Sequence, residues 1–403
     1  MRAVMYGGGN IGRGFIGQLL SQSGYEVTFV DVVDAVVDTL NRDHKYQVRI
    51  LSNEGHKDVD VNNVSAVNGK NVEAVADAIA NADIMATAVG ARILPFIVPN
   101  IVAGLRKRWA MGKASLNIII CENLMDANKV LEGMLKEQLT DEEKVTFDET
   151  VGLVEASIGR MVPVQTEEMK DGDPMRVCVE SYGFLPVDKA AFKGEIPQIT
   201  NMIPFEPFDF YIKRKLYIHN LGHAICAYLG DMLGLSYIYE AIDVADIRVI
   251  VQNAMLESAM ALSKTYGVQL NQIICHIDDL LYRFTNQALK DTCARVGGDP
   301  SRKLSAQDRL IGSSKLVLKS GDMPAYIAIG AAAGLKRLLD EQGMEHNIKN
   351  AGKVLLETSG LPEDAPLYSI VLKMYAMIIE NCSISDLRDA AEKLKNAGNR
   401  SIV

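Results

Sequence analysis

Residues 7–17 have the sequence Gly-Gly-Gly-Asn-Ile-Gly-Arg-Gly-Phe-Ile-Gly. This run follows the short apolar stretch 3–6 and leads into a segment with helical apolar periodicity, so the sequence predicts a strand, a glycine turn and a helix. A second predicted strand, residues 27–30, ends in Asp31. Glycines in this context, with an acidic residue after the second strand, are typical of a dinucleotide site, and a glycine-rich turn without a ligand is the plainer alternative.

Each glycine of the turn has a predicted task. Gly7 permits the tight turn, Gly9 lets the backbone approach a pyrophosphate, and Gly12 lets the helix pack close to the strand. Free N–H groups at the start of the helix can then hold the phosphates. Asp31 can accept hydrogen bonds from both ribose hydroxyls and would repel a 2′-phosphate, so we expect NAD as the cofactor. The predicted cofactor-binding residues are Gly7, Gly9, Asn10, Ile11, Gly12, Asp31, Thr87 and Val89.

The composition favours a globular protein with a small-molecule substrate. The chain has 403 residues, 48% of them hydrophobic and 23% charged, which is enough for two domains with separate cores. A net charge of −9 argues against nucleic acid or an anionic membrane as a partner. Residues 1–5 lead directly into the first strand and no apolar stretch is long enough to span a membrane, so we expect a cytoplasmic protein.

The cysteines and histidines predict neither disulfides nor a metal site. The six cysteines lie far apart and include no Cys-x-x-Cys pair. The histidines at positions 44, 56, 276 and 346 are scattered and lack the spacing of metal ligands. We therefore expect the cysteines to be mostly buried as small apolar groups, and we expect no metal ion.

The first half of the chain alternates predicted strands and helices. Residues 84–89 and 116–121 are typical of buried strands, and a helix is predicted between them over 91–109. Such alternation predicts a parallel, doubly wound sheet with its ligand crevice at the carboxyl ends of the strands. The fold class expected here is therefore α/β, with a Rossmann domain at the N-terminus.

Helix signals dominate from about residue 204. The predicted helices span residues 208–229, 244–266, 324–339, 366–379 and 386–396. The second of these is predicted to end at Gly267 and the last at Gly398. Four prolines between residues 186 and 207 mark a boundary region. We predict an NAD-binding Rossmann domain over residues 1–195, followed by an all-helical substrate and catalytic domain over 196–403.

The candidate catalytic group lies in residues 215–223, Lys-Leu-Tyr-Ile-His-Asn-Leu-Gly-His. On a regular helix Lys215, His223 and Asn220 project at about 0°, 80° and 140°, so the three can face one cavity. A lysine desolvated among apolar neighbours can act as a general base near neutral pH, as removal of an alcohol proton during hydride transfer requires. Asn220 can donate to a developing alkoxide, and His223 can orient the lysine or the substrate. Each residue also has an ordinary explanation as a solvated lysine, a capping asparagine or an interior histidine.

Four motifs together resemble the polyol-specific long-chain dehydrogenases of the mannitol dehydrogenase family. They are residues 7–17, Cys121-Glu122-Asn123, the Lys-x4-Asn-x2-His pattern at 215–223, and the run Arg-Lys-Leu-Ser-Ala-Gln-Asp-Arg-Leu at 302–310. The resemblance extends from residue 1 to about residue 332 and is greatest to the branch that acts on mannitol 1-phosphate. It allows a monomer or a weak oligomer.

The resemblance implies metal-independent, NAD-dependent interconversion of mannitol 1-phosphate and fructose 6-phosphate. It implies that Lys215 is the general acid and base, that Asn123 and Asn220 polarise the carbonyl group, and that His223 fixes substrate and lysine. A nucleotide-binding regulatory protein that senses NADH without turnover is a further hypothesis. The presence of a candidate base argues against it, because a sensor does not need one.

One position departs from the family pattern. Where the family has an aspartate and an arginine before Ile-Val-Pro, this chain has Gly159-Arg160 before Met-Val-Pro. The absent carboxylate is one that could bind a substrate hydroxyl. A non-phosphorylated polyol or a keto-uronate therefore stays open as the substrate of the same chemistry.

A substrate phosphate would need cations, and the densest basic cluster lies between residues 295 and 309. Guanidinium forks suit a phosphate, and a lysine can add a point charge. The alternative is a solvated basic loop whose cations pair with Asp299 or Asp308. The candidate phosphate-binding residues are Arg295, Arg302, Lys303 and Arg309.

Overall fold

The computed structural model describes residues 1–399 and divides the chain into two compact units. The first unit is Met1–Asp209, and the second begins at Phe210. The predicted domain boundary at residue 195 falls inside the first unit, ahead of its last strand. Within the described residues, no helix is both long enough and apolar enough to cross a membrane.

The first unit contains strands and helices in alternation. Its strands are β1 Arg2–Tyr6, β2 Glu26–Asp31, β3 Lys45–Ser52, β4 Gly55–Asn62, β5 Val64–Asn68, β6 Ile84–Thr87, β7 Leu116–Ile120, β8 Val151–Glu155, β9 Val177–Glu180, β10 Leu185–Asp188 and β11 Met202–Phe205. Its helices are α1 Gln18–Gln22, α2 Asp34–Asp43, α3 Val72–Asn81, α4 Leu94–Ala110, α5 Ala127–Lys136, α6 Asp141–Thr150 and α7 Glu167–Lys170, with a π-helical turn at Gly12–Gly17 before α1.

A six-stranded sheet in the order β5-β2-β1-β6-β7-β8 forms the centre of this unit. All neighbouring strands pair in parallel. Strands β6 and β7 are buried along their whole length, as expected for apolar strands covered by helices on both faces. The predicted doubly wound sheet is confirmed, and the predicted segments 84–89, 116–121 and 91–109 correspond to β6, β7 and α4 with slightly different ends.

Two apolar layers cover the faces of the large sheet. One includes Phe15 and Phe29, and the other includes Ile101 and Leu131; all four side chains are fully buried. Phe15 lies in the π-helical turn, so burial of its side chain anchors the helix that follows the glycine turn. The start of that helix is thereby held at the carboxyl end of β1, where a ligand crevice is expected.

Two smaller sheets complete the first unit. Strands β4, β3 and β9 form one of them, in which β3 and β4 are antiparallel and β3 and β9 are parallel. Strands β10 and β11 pair in parallel in the other. These strands were not predicted, and β4 in particular is mostly exposed, so it lacks the apolar alternation of a half-buried strand.

The second unit is helical, as predicted. Its helices are α8 Asp209–Arg214, α9 Asn220–Met232, α10 Ile238–Asp243, α11 Ala245–Tyr266, α12 Leu270–Phe284, α13 Cys293–Gly297, α14 Pro300–Lys303, α15 Ile311–Lys319, α16 Ala325–Gln342, α17 Ile348–Ser359, α18 Pro366–Ile379 and α19 Ile384–Asn399, with a π-helical turn at Lys215–His219 and a 3₁₀ turn at Gln287–Leu289. Helix α11 ends at Gly267 as predicted, whereas α19 continues through Gly398 to Asn399.

Helix α9 is the central element of the second unit. It is buried almost continuously from Leu221 to Gly230. The neighbouring helices α11 and α16 pack closely against it. A Cβ at Gly222 would lie 2.1 Å from a carbon of Met255, and one at Gly330 would lie 2.3 Å from a carbon of Ile225. Side chains at the start of α9 therefore project from a tightly packed support.

Candidate active site

The predicted site residues fall into two groups, one in each unit, and the first begins with the glycine turn. Gly7 has a φ of +104°, and a Cβ there would lie 2.5 Å from the carbonyl oxygen of Ala88. A Cβ at Gly12 would lie 1.9 Å from the carbonyl oxygen of Gly7, so a side chain would push the helix away from the strand. A Cβ at Gly9 would meet no atom of the described residues within 4 Å. Gly9 thus borders open space at the helix start, which fits a bound pyrophosphate.

The helix after this turn begins at Asn10 and Ile11. Asn10 is exposed, whereas Ile11 packs partly against the core. The following turn, Gly12–Gly17, is π-helical, a form that is rare and occurs frequently at functional sites. The exposed Asn10 side chain and the N–H groups of this first turn are therefore available to a ligand.

Asp31 lies at the end of β2 and contacts the glycine turn. Its Oδ2 accepts the backbone N–H of Gly8 at 2.7 Å, and its Oδ1 accepts that of Val33 at 2.9 Å. The carboxylate is partly exposed, and each oxygen has a further lone pair for a ribose hydroxyl. Its position next to the turn is the one that the sequence predicts for cofactor selection.

Arg13 stabilises the glycine turn, a role that was not predicted. Its buried guanidinium donates from Nε to the Gly8 carbonyl at 2.6 Å and from Nη1 to the Met175 carbonyl. Burial lowers the pKa of Arg13, and the charge of Asp31 is among the effects that oppose this shift. Gly8 is therefore held through its N–H by Asp31 and through its carbonyl by Arg13, which fixes the backbone of the turn.

The ends of β6 and β7 carry the other predicted residues of the first group. Thr87 is fully buried, and its hydroxyl has no hydrogen-bond partner among the residues described. The backbone N–H groups of Val89 and Gly90 donate to the carboxylate of Glu122 at 3.0 and 2.7 Å. Glu122 is 8% exposed and directly precedes the exposed Asn123. Glu122, to which the sequence assigned no role of its own, thus ties the loop after β6 to the segment that carries Asn123.

The departure from the family pattern lies after β8. A Cβ at Gly159 would come within 3.0 Å of the Tyr182 ring, so that ring occupies the space beside the glycine. Arg160 is buried and donates from Nη1 to the Gly14 carbonyl and to Oε1 of Gln18, both at 2.8 Å. The arginine of this motif therefore supports the helix of the glycine turn.

The second group begins with Lys215, the first residue of a π-helical turn between α8 and α9. The backbone N–H of Asn220 donates to the Lys215 carbonyl, five residues earlier, as in a π-helix. Residues joined in this way lie on nearly the same face, whereas in a regular α-helix they would be about 140° apart. The regular helix assumed from sequence is wrong here, and the π turn brings Asn220 closer to the Lys215 face.

The Lys215 side chain is in a setting that favours proton exchange near neutral pH. Burial, followed by the positive charge of Arg309, lowers its pKa to about 8. A group with such a pKa is present in both protonation states under ordinary conditions, as an acid–base catalyst requires. The physical basis expected for a catalytic lysine is therefore present in this unit.

His223, in the first turn of α9, is fixed by an aromatic ring and a carboxylate. Its imidazole stacks on Phe284 with ring centroids 4.8 Å apart and an interplanar angle of 14°. Its Nε2 lies 3.2 Å from Oδ2 of Asp291, which is an ion-pair distance, but the two groups do not have the geometry of a hydrogen bond. The neighbouring His219 is buried, which lowers its pKa well below the usual value. Neither Phe284 nor Asp291 was predicted to contribute.

Two of the predicted phosphate cations are exposed and paired with nearby carboxylates. Arg295 donates to Oδ1 of Asp291 at 2.6 and 2.8 Å. Arg302 lies 2.6 Å from Asp299 and 3.2 Å from Asp308. Both pairs match the alternative of a basic loop with internal ion pairs.

The other two predicted cations are less exposed. Lys303 is 4% exposed, and its ammonium donates to the carbonyl groups of Val296, at 2.7 Å, and Gly298. Burial lowers the pKa of Lys303 to about 8. Arg309 donates from Nε to Asp308 at 2.7 Å, and its charge also acts on Lys215. Of the four, Arg309 is the cation whose charge affects the candidate base.

Known families match both units. Residues 1–201 match the family described as the mannitol dehydrogenase Rossmann domain, and residues 208–367 match the mannitol dehydrogenase C-terminal domain. Mannitol-1-phosphate 5-dehydrogenase of Brevibacillus brevis is 37% identical over 377 residues, which are 92% of this chain and 96% of that protein.

Solved structures with the same fold include two polyol dehydrogenases. One is the Pseudomonas fluorescens mannitol 2-dehydrogenase in a ternary complex with NAD and D-mannitol, with a TM-score of 0.75, 15% identity, and coverage of 98% of this chain and 94% of that one. The other is a D-sorbitol dehydrogenase in substrate-free form, with a TM-score of 0.78, 16% identity, and coverage of 96% and 94%. At these identities the likeness shows the fold.

Proposed function

The chain belongs to the mannitol dehydrogenase family, and on that premise we propose that it catalyses NAD-dependent hydride transfer between mannitol 1-phosphate and fructose 6-phosphate. Family membership makes it a polyol dehydrogenase. The observation that carries the phosphorylated substrate is the 37% identity, over 92% of this chain, to a mannitol-1-phosphate 5-dehydrogenase, and Arg309, whose charge acts on the candidate base Lys215, is the cation best suited to the phosphate. Arg309 pairs with Asp308 through Nε at 2.7 Å, and the other N–H groups of its guanidinium could bind a phosphate.

The first unit has the residues that NAD requires. The turn formed by Gly7, Gly9 and Gly12 would hold the pyrophosphate through backbone N–H groups, and Asp31 would accept the ribose hydroxyls. When bound, NAD supplies the acceptor for the hydride that leaves the alcohol carbon. Asp31 and Arg13 hold Gly8 from opposite sides, so the turn is preorganised for the phosphates.

The second unit supplies the acid–base chemistry. In the oxidation of the alcohol, neutral Lys215 accepts the hydroxyl proton at Nζ, and in the reduction of the ketone its ammonium returns that proton to the oxygen. Asn220, brought to the Lys215 face by the π turn, can donate its side-chain N–H to the same oxygen. His223 orients the lysine or the substrate, and the family pattern assigns Asn123 to the substrate carbonyl as well.

Gly159 favours a second candidate substrate. A carboxylate at this position would accept a substrate hydroxyl, and the glycine, with the Tyr182 ring beside it, cannot do so. The same hydride chemistry on a non-phosphorylated polyol or a keto-uronate is therefore the alternative.

Steady-state oxidation of NADH against a small panel of ketones distinguishes the two substrates. The panel contains fructose 6-phosphate, free fructose and a keto-uronate, each also tested with NADPH. We expect the highest kcat/KM for fructose 6-phosphate with NADH. A preference for free fructose or for the keto-uronate would transfer the assignment to the second candidate, and no turnover of any member would contradict both.

A further inference from the structure

We propose that Asp291 is a positioning residue that fixes the orientation and the tautomer of the His223 imidazole. This inference rests on the proposed function, in which His223 orients Lys215 or the substrate. Asp291 lies between the 3₁₀ turn and α13, far along the chain from α9. The structure brings its Oδ2 to 3.2 Å from His223 Nε2.

The two neighbours of the imidazole restrict different motions. Stacking on Phe284, at 4.8 Å and 14°, defines the plane of the ring. The carboxylate then favours one of the two orientations related by a half-turn of the ring about Cβ–Cγ, because Nε2 lies 3.2 Å from Oδ2 in this orientation. Both partners are well shielded, since the side chains of His223 and Asp291 are only 13% and 9% exposed. A charge contact in such a setting is screened little by water or salt.

Asp291 is itself held in place. Its Oδ1 accepts two hydrogen bonds from Arg295, at 2.6 and 2.8 Å, which leaves Oδ2 for the histidine. Its backbone carbonyl accepts the N–H of Ile238 at 2.9 Å, at the start of α10. Burial alone would raise the pKa of Asp291, but the contacts with His223 and Arg295 lower it on balance, so the carboxylate is ionised near neutral pH. Arg295 thus has a role through Asp291 that requires no phosphate.

An ionised carboxylate beside Nε2 keeps a proton on that nitrogen. The neutral imidazole then has its lone pair on Nδ1, which becomes the hydrogen-bond acceptor. An acceptor can orient the Lys215 ammonium or a substrate hydroxyl, whereas a donor at the same position would oppose the ammonium. The charge contact therefore determines which hydrogen bonds His223 can make.

Asp291→Asn tests this inference with little change in shape. The asparagine amide can donate to Nε2, which favours the tautomer with the proton on Nδ1. By analogy with the carboxylate of a Ser-His-Asp triad and with groups that orient metal-bound histidines, we expect kcat to fall by roughly 10-fold or more, with NADH binding unchanged.

A double-mutant cycle separates positioning from a general structural effect. If Asp291 acts through the imidazole, Asp291→Asn should have little further effect on kcat in a His223→Asn background. A purely structural role would lower kcat by the same factor in both backgrounds. That second result would overturn the proposal.

Nitrogen NMR of the full-length protein labelled with ¹⁵N-histidine gives a readout that does not depend on turnover. We expect His223, identified by the signal lost in His223→Asn, to carry its proton on Nε2 in the wild type and on Nδ1 in Asp291→Asn. Asp340→Asn is the matched control, because Asp340 lies 2.8 Å from Nε2 of His346 in a second carboxylate–imidazole pair. It should change the His346 signal and leave turnover and His223 unaltered.

The outcomes distinguish this inference from the proposed function. Absence of turnover with every ketone would contradict the proposed function, while the NMR spectra would still decide the role of Asp291. If Asp291→Asn fails to fold, the wild-type spectrum decides alone. A wild-type His223 that carries its proton on Nδ1, or a tautomer that Asp291→Asn leaves unchanged, would overturn the proposal.

Discussion

The carboxylate of Glu257, in α11, accepts the backbone N–H of Tyr326, in the first turn of α16, at 3.1 Å. Its other oxygen accepts the N–H of Ile327, also at 3.1 Å. These donors have no partner within their own helix, because the first N–H groups of an α-helix are unpaired. Glu257 is only 1% exposed, so a buried carboxyl group on one helix caps another helix and fixes how the two helices pack. Burial raises the pKa of Glu257 to about 8, against the opposing effect of the two N–H groups.

Glu257→Gln should change the pH dependence of stability. The folded-state pKa lies above the value of about 4.3 in an unfolded chain. The contribution of this group to the free energy of unfolding is therefore greatest below about pH 4.3, the pKa in the unfolded chain, and it is lost as the pH rises towards 8. A glutamine cannot ionise, so the advantage of the wild type over the variant should shrink between pH 5 and pH 8, on the order of 1 kcal/mol per pH unit.

Urea unfolding of both proteins at several pH values measures this advantage. Glu240→Gln is the matched control, since Glu240 also accepts two backbone N–H groups, at 3.0 and 2.9 Å, but is only half-buried. An advantage over Glu257→Gln that stays constant across this pH range would contradict the prediction.

Lys215→Ala should abolish turnover and leave NADH binding nearly intact, since the predicted cofactor residues lie in the first unit. A general acid or base contributes on the order of 10²- to 10⁴-fold, so kcat should fall at least that far. Lys213→Ala is the control from the same helical segment, because Lys213 lies over the Tyr217 ring, 5.1 Å from its centroid. Retention of most of the wild-type rate in Lys215→Ala would remove this residue from the mechanism.

The pH profiles of the two reaction directions should be opposite. Alcohol oxidation needs neutral Lys215, so its kcat/KM should rise with pH through about 8. Ketone reduction needs the ammonium, so its kcat/KM should fall through the same value. Initial rates in both directions from pH 6 to 10 measure this, and profiles that change in the same sense would be inconsistent with lysine as the acid–base group.

Asp31 should produce a strong preference for NAD over NADP. A 2′-phosphate beside this carboxylate would meet like-charge repulsion, and Arg13, which interacts with the charge of Asp31, is buried and bound to backbone carbonyl groups. Asp31→Ser should narrow the gap in kcat/KM between the two cofactors. Asp34→Ser removes a nearby charge that bonds to Asn68 and serves as the control. Comparable efficiency of the wild type with both cofactors would refute this prediction.

The glycine turn and the parallel sheet could be predicted from sequence because their determinants are local. Gly7 and Gly12 are required by close backbone contacts, Gly9 borders open space, and β6 and β7 are short apolar runs of the right length. The C-terminus of α11 and the N-terminus of α18 also follow from local signals. Gly267 comes directly after α11, and Pro366 is the first residue of α18.

The partners of the candidate site residues could not be predicted, because they come from distant parts of the chain. Nothing near Val89 indicates that Glu122 holds its backbone, and nothing near His223 indicates Asp291. The π turn at Lys215–His219 has no glycine or proline to mark it, so the sequence suggests a regular helix there. Such features depend on tertiary packing, which local propensity does not contain.

The surroundings of the basic cluster could not be predicted either, although its residues are close together in the chain. Arg295, Arg302, Lys303 and Arg309 are near each other in sequence, yet short helices and turns direct them into different surroundings. Two are exposed and paired, and the ammonium of Lys303 is bound by backbone carbonyl groups. Within the described residues, Arg309 is the one cation of these four whose charge lowers the pKa of Lys215.

Arg309→Gln should therefore weaken the use of fructose 6-phosphate far more than that of free fructose. Loss of a hydrogen bond to a charged group costs about 1.5–3 kcal/mol, or roughly 10- to 150-fold in kcat/KM. The substitution should also raise the pKa of Lys215, since the Arg309 charge lowers it, but this effect is common to both substrates. The ratio of the two kcat/KM values cancels the common effect and isolates the contact with the phosphate.

Arg302→Gln, which removes an exposed and paired cation, should leave this ratio almost unchanged. Equal losses on both substrates in Arg309→Gln would mean that Arg309 tunes the lysine without binding a phosphate, and the non-phosphorylated substrate would then be favoured.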